Sequence, residues 1–423
     1  MEANSINYKQ GWVWVLSLLI FFFNSFLLPE GLTLTLIFFP LWFYILYSQK
    51  NLYLVVVLLI PLLFYMAVHL AYGVDIKYYL ISLAMVIGLI TFLLVFQKAV
   101  NSPLVHWDLI FRDIAVLNFF FALMSLLFLY SCVLKPVTWY LVPITPDIPV
   151  VPRLKLFASE ASHYSFWLAP IALYFYSRKL FFKTKGSWFT LAIVTIPLIL
   201  SFSLGVIASI LIGFIILLIV YFRQIMAFRG NRKLFISIAL IFIGAVLFAW
   251  YRYPNNVLFL RLHDIMNGKD TSARGRTYEA FILARKIIAQ KNEWFGIGLG
   301  QLKLIGRSII VQYYSYSNIP AVIRIPNATA ETLVYFGYTG VVLRFLIEIF
   351  CFFRTKVYQN PYRFWLFLFV FIYQFTGSYI TNAAEYIVWI LAFSNVFPEF
   401  NRGQIKELIP QETSKNKPFS VEI

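Results

Sequence analysis

Apolar runs long enough to cross a bilayer follow one another along almost the whole chain. This succession constrains the fold more than any motif. A helix needs about 20 mostly apolar residues to span the hydrocarbon core. The candidate runs are 12–28, 32–48, 52–72, 76–96, 114–134, 161–177, 188–202, 204–222, 234–250, 329–353, 363–380 and 384–398. Between the seventh and eighth, Ser201-Phe-Ser-Leu-Gly205 reads either as a tight hairpin between short helices or as a kink in one long helix. The succession predicts an all-α polytopic membrane protein with about 12 transmembrane helices. Residues 1–400 form one transmembrane domain, and 401–423 a cytoplasmic tail too polar to fold alone. The first run lacks an A-x-A-like cleavage site and reads as a retained anchor.

Charge sets the expected orientation. The chain is 61% hydrophobic and 13% charged, against about 25% charged in globular proteins. The net charge is +17, and the basic residues mostly flank apolar runs. That pattern is a topology signal, so it argues against nucleic-acid binding. Arg178, Lys179, Lys183 and Lys185 mark one loop, Arg223, Arg229, Arg232 and Lys233 the next, and Arg354, Lys356 and Arg363 a third. Twelve spans put all three on the cytoplasmic side, together with both termini.

Two longer loops then fall outside, over about 135–160 and about 251–326. The first is rich in proline (Pro143, Pro146, Pro149 and Pro152). The second carries eleven Lys/Arg against four acids. Loops longer than about 60 residues translocate largely regardless of charge. Topology therefore did not select this positive charge, and an anionic ligand or anionic lipid headgroups become the natural reasons for it. Cys132 and Cys351 fall near opposite membrane faces, so no disulfide is expected. No His/Cys cluster suggests a metal, and no cofactor is expected.

Four stretches carry residues suited to chemistry. In Arg153-Leu-Lys-Leu-Phe-Ala-Ser-Glu160-Ala-Ser-His163, Glu160 and His163 share a helical face at the start of a span. Glu160 is a helix cap or a polar group at the mouth of a site. In Thr271-Ser-Ala-Arg274-Gly-Arg276-Thr-Tyr-Glu279, two arginines precede a helical run, 277–291, that reads as a helix lying on the membrane interface. Arginine at such a place can grip a phosphate bidentately. Gly296-Ile-Gly-Leu-Gly300 follows no strand, so it reads as a tight turn with close backbone packing rather than a nucleotide loop. Asn327 opens the next span, with Glu331 near its external end and Arg344 and Glu348 deeper, four apart, as a structural pair. Arg324 belongs to the same external set of cations.

These stretches, over roughly 150–345, resemble in order and placement the bacterial O-antigen and capsule polymerases of the Wzy type, within the superfamily that also holds the O-antigen ligases. The resembling pieces are 153–163, Arg276-Thr-Tyr-Glu-Ala-Phe with Trp294-Phe-Gly-Ile-Gly-Leu-Gly300, and Asn327 through Gly340. The ligases have His before the asparagine; here that position is Pro326, which favours polymerase over ligase. The resemblance implies an inner-membrane glycosyltransferase. It would join undecaprenyl-diphosphate-linked oligosaccharide repeats at the periplasmic face, beside a chain-length regulator and a flippase of the same pathway. It assigns Arg153 and Arg276, helped by Arg274, to the donor diphosphate, and Glu160 or Glu331 to the acceptor hydroxyl. His163, Arg324 and Asn327 become further substrate contacts. A ligase, or a lipid-linked oligosaccharide flippase, is the alternative.

Overall fold

The structure, a computed structural model, describes residues 2–26, 28, 32–142, 151–182, 187–227, 248, 250–253, 257–315 and 323–407. The expected span at 234–250 lies almost wholly outside the described residues. So do Lys183, Lys185, Arg229, Arg232, Lys233, Pro143, Pro146, Pro149 and the tail beyond 407.

Helices dominate the described residues. They are α1 (Glu2–Phe23), α2 (Leu34–Ile37), α3 (Phe39–Ser48), α4 (Leu52–Ala71), α5 (Ile76–Val100), α6 (Trp107–Phe128) and α7 (Lys135–Thr138). A two-stranded antiparallel ladder follows, β1 (Trp139–Tyr140) with β2 (Arg153–Leu154). Then come α8 (Ala161–Phe181), α9 (Ser187–Leu200) and α10 (Leu204–Ala227). The basic segment supplies α11 (Val257–Met266), α12 (Thr271–Arg276), α13 (Tyr278–Ile288) and α14 (Ile305–Tyr314). The chain continues through α15 (Ala328–Arg354), α16 (Pro361–Tyr373) and α17 (Ala383–Phe393).

Among the described residues five helices, α4, α5, α6, α10 and α15, are long and apolar enough to cross a membrane. The expected twelve are not reached, for identifiable reasons. The run 32–48 breaks at Phe38, two residues before Pro40, into α2 and α3. The last two runs shorten to 13 and 11 residues, about 20 Å or less at 1.5 Å per residue, against a core of about 30 Å. The fifth run begins earlier than hydropathy suggests, at Trp107, because Asp108 and Arg112 stay exposed on its first turns. At Ser201–Ser203 the chain turns, with Phe202 at φ +47°, and α9 and α10 are separate helices.

Hydropathy tracks exposure to lipid rather than centrality. The spanning window of α4 is only 17% buried, and Val56, Ile60 and Phe64 look outward. Helix α8 is the opposite. It is packed by α9, α10, α16 and α17 and buries Tyr164, Phe166, Leu168, Ile171, Leu173 and Tyr174. A helix surrounded by protein can carry tyrosine and serine, since neighbours supply partners. Tyr164 donates to Asn118 at 2.9 Å. Helix α10 runs antiparallel to α16: the Trp365 indole donates to the Ile210 carbonyl (3.0 Å), and the Tyr221 hydroxyl donates to the Tyr358 carbonyl (2.6 Å).

Helix α15 is broken at Gly337, whose φ of +66° and ψ of −165° are not helical. A break orphans backbone groups on both sides, and the glycine-rich turn 293–298 takes them. Ile297 N donates to Val334 O (2.9 Å) and Gly298 N to Tyr335 O (3.2 Å). Tyr338 N donates to Glu293 O (3.0 Å) and Thr339 N to Trp294 O (3.1 Å). The approach is backbone to backbone. A β-carbon on Gly296 would lie 2.6 Å from Gly337 N, and one on Gly337 would collide with the Trp294 carbonyl. The same turn is held from the other side by α4 and α5. His69 Nε2 lies 2.7 Å from Phe295 O, and Gln301 exchanges hydrogen bonds with the Asp75 backbone at 3.0 Å.

One expectation is corrected here. The apolar face of the helix in 277–291 does not rest on the membrane. Ala280, Leu283, Ala284, Ile287 and Ile288 pack inside the protein against α14 and α15. Arg363, expected to mark a cytoplasmic loop, also has a structural role. It is buried, and donates to Ala392 O (2.8 Å), Phe393 O (3.0 Å) and Thr355 O (2.9 Å), closing the C-terminus of α17 as a cation does well. Both cysteines are free, as expected.

Gly337→Ala should therefore destabilise the protein by on the order of 2 kcal/mol, seen as a lower thermal midpoint in detergent. Gly11→Ala, whose β-carbon meets nothing within 4 Å, should not lower it. Equal midpoints for both variants would mean that the turn does not clamp the break.

Candidate functional site

The connections expected on one side of the membrane meet at one end of the bundle. There β1, β2, the N-terminus of α8, the Phe202–Gly205 turn, α11, α12 and the end of α16 enclose a cavity of about 480 Å³. Its polar lining is dominated by Arg153, Arg261 and Arg276. Glu160 and Ser162 also line it, with Tyr140, Tyr373 and Thr376. Ser203, Ser272 and Thr277 complete the polar part, and Leu204, Ala208 and Ile265 are among the apolar residues.

Each arginine arrives by a different device. Arg153 sits on the short ladder opposite Tyr140, with its guanidinium 4.8 Å from that ring's centre. The ring stacks one face of the cation. Arg261 comes from α11 and is fixed by Asp270, at 3.0 Å. Asp270 is fully buried and also caps α12, accepting from Ala273 N at 2.8 Å. One carboxylate thus ties two helices of the basic segment together. Arg276 ends α12, and its backbone carbonyl accepts from the Asn327 side chain at 2.8 Å. Among the described residues, Arg153 Nε and Arg261 Nη1 are buried without a hydrogen-bond partner, as is Arg274 Nε outside the cavity. Arg261 is itself 8% exposed. Buried polar groups are normally satisfied, so the two donors in the cavity lining are suited to an anion's oxygens.

Glu160 occupies the N-cap position of α8, but its side chain makes no cap hydrogen bond. It accepts from the Ser162 hydroxyl at 3.0 Å and faces Arg324 at 3.1 Å and Arg276 at 3.8 Å. The capping explanation therefore fails for its side chain. Burial alone would push this carboxyl up. The charges of His163, Arg276 and Arg324, with the Ser162 hydroxyl, outweigh that and hold it below the ordinary carboxylate range. Arg153 is lowered from the usual guanidinium value, first by burial and then by Arg261 and Arg276. Positive charge is in excess around the cavity.

The other candidates sort by position. Arg324 reaches the cavity only through Glu160, and its guanidinium lies 5.8 Å from the Tyr379 ring centre. His163 contacts Ser159 Oγ through Nδ1 at 2.8 Å and lies 5.8 Å from the Tyr379 ring. Arg274, two residues before Arg276, points elsewhere: it pairs with Glu279 and donates to Gly268 O at 3.0 Å. Asn327 is fully buried and bound to backbone, capping Ala330 N and donating to Arg276 O and Phe375 O. It fastens Arg276 rather than facing the cavity. Glu331 does not line the cavity; its Oε2 accepts from Ile380 N at 2.6 Å. Arg344 and Glu348 pair at 3.0 Å within a larger network that adds Gln374, Thr332 and Glu385.

Arg261 is the residue that sequence reasoning passed over. It stands in an unremarkable amphipathic stretch. Its only signal was Asp270 nine residues on, which is meaningless without the turn between α11 and α12. No family model matches the chain, and no curated protein matches it.

Glu160 has a depressed pKa in the fold. Its ionisation therefore adds stability that is complete above the ordinary glutamate value. That stability is lost as pH falls through the depressed one. Glu160→Gln should lower the thermal midpoint at pH 7, and the gap should close under acid. A gap that persists unchanged below pH 3 would show that packing, not charge, is at stake.

Proposed function

We propose that this protein polymerises polyprenyl-diphosphate-linked oligosaccharide repeats, by glycosyl transfer at the outer face of the bacterial inner membrane. The observation that carries the reading is the cavity itself. Three arginines from three segments converge on it, two of them with buried N–H groups lacking an acceptor. A diphosphate supplies several acceptor oxygens in a small volume, and arginine suits it. The apolar share of the lining accommodates the lipid-proximal part of such a donor.

In this reading the acceptor hydroxyl attacks the anomeric carbon of the donor sugar. The bond from that carbon to the diphosphate oxygen breaks, and the electron pair leaves with undecaprenyl diphosphate. Arg153, Arg261 and Arg276 stabilise the charge that grows there. One placed donor of this kind is commonly worth about 10²–10³ in rate. Glu160 is the base, since of the two sequence candidates it alone lines the cavity. Its neighbours weaken it as a base. An oxocarbenium-like transition state, in which bond breaking leads, asks little basicity of the group that takes the proton.

The two ends of the bundle are consistent with the orientation this reading needs. Opposite the arginine cavity, Asp108, Arg178 and Glu399 line a second polar cavity formed by connections expected in the cytoplasm. The N- and C-termini belong to that side in this reading, and the chain-length regulator and flippase remain its pathway partners.

Arg276→Ala and Arg261→Ala should each collapse long-chain surface polysaccharide to single repeats on a gel. Arg274→Ala, turned toward Glu279, should keep the ladder. Unchanged ladders in the first two would refute the site. Polymer stranded on its carrier would identify a ligase instead, and undecorated core with units held inside the cell a flippase.

A further inference from the structure

A third cavity, unrelated to the arginines, lies among α1, α3, α5, α6, α8 and α17. It measures about 540 Å³ and is walled by Trp42, Phe92, Ile114, Phe166, Ile387 and Leu391, among others. Such a space in a soluble protein would stay dry and empty. Here the bundle's exposed faces are apolar (α4 shows Val56, Ile60 and Phe64), so the surrounding solvent is hydrocarbon. An empty cleft forfeits dispersion contacts along its whole lining, and a chain from the bilayer restores them.

Polar residues of this cleft gather at one end. Trp12, Gln49, Lys98 and Ser102 stand there, and Lys98 Nζ donates to Gln49 Oε1 at 3.2 Å. Among the described residues Lys98 has no carboxylate partner. Val105 and Trp107 line both this cleft and the polar cavity with Arg178 and Glu399. The polar end therefore belongs to the side away from the arginines. Toward the arginine cavity two rings meet: Phe166 lines the cleft, Tyr373 lines the arginine cavity, and their ring centres are 4.7 Å apart. A chain in the cleft cannot have its headgroup among the arginines without parting these rings. Its headgroup lies beside Lys98.

We propose that this cleft binds one acyl chain of an anionic glycerophospholipid, with the phosphate beside Lys98 and Trp12 at the interface. A Trp–Lys pair is the usual furniture of a membrane interface, and a lysine there favours anionic headgroups. The site is distinct from the arginine cavity and does not depend on its function.

The test uses the full chain in phosphatidylcholine vesicles doped with phosphatidylglycerol that carries a diazirine at the end of one acyl chain. After illumination, labelled peptides should concentrate on the cleft walls around Trp42, Phe92 and Ile114, and unlabelled phosphatidylglycerol should displace them. Ser17→Phe and Ala99→Phe, which fill the cleft from two different helices, should abolish that labelling and leave labelling of α4 unchanged. Lys98→Gln should reduce the preference for phosphatidylglycerol over a phosphatidylcholine probe about fivefold. Labelling spread evenly over the lipid-facing helices would overturn the proposal. So would displacement by undecaprenyl phosphate but not by phosphatidylglycerol, which would assign the cleft to a polyprenyl chain. The wild-type map decides the matter even if a filled variant fails to fold.

Discussion

The interrupted helix α15 is the joint on which this structure turns. Within a bilayer an unpaired backbone group costs several kcal/mol, so a helix can break only where something replaces its ladder. Here the replacement is main chain from the basic segment. Four hydrogen bonds from residues 293–298 fill the gap at Gly337, and α4 and α5 brace the turn from behind through His69 and Gln301. The segment is thereby anchored in the bundle rather than lying on it. Asn327, which caps α15, also holds the carbonyl of Arg276. The break, the cap and the cationic cavity are one mechanical unit.

That unit explains how so much positive charge stays in place. Three arginines around about 480 Å³ repel one another and lose hydration. Each has a local offset: a ring under Arg153, Asp270 beside Arg261, Glu160 near Arg276. The offsets are incomplete, since donors on Arg153 and Arg261 are left unpaired. A site with unsatisfied cationic donors is one that prefers an anion to water. Glu160 sets the limit of that preference, because its carboxylate shares Arg276 and Arg324 with whatever binds.

Legibility in the sequence followed the physics of each element. Lipid-facing helices such as α4 were readable because their solvent demands apolar side chains on most faces. Helix α8 was readable mainly by its flanking motif, for a helix enclosed by protein needs no such uniformity. The glycine turn was read correctly as close backbone packing, though not its partner, since Gly337 lies some forty residues on in an ordinary apolar run. Helix α13 misled because amphipathicity states that one face is buried, not what buries it. The carbonyls that Arg363 closes were not legible for a related reason: a basic residue beside a span shows its charge in the sequence, not its partners. Glu160 and Arg276 face each other at 3.8 Å, whereas Arg274 and Arg276, alike in sequence, fall on different sides of one short helix.

The two cavities divide the bundle in a way that bears on any amphiphile it handles. The cationic one sits where β1, β2, α11 and α12 meet the N-terminus of α8. The apolar one opens toward the other end, and Phe166 against Tyr373 is the partition between them. Tyr373 ends α16, a helix of 13 residues too short to cross alone, and the chain turns back beyond it. Both rings of the partition are buried, Phe166 within α8 and Tyr373 at the end of α16, so opening it would forfeit packed contacts on each side.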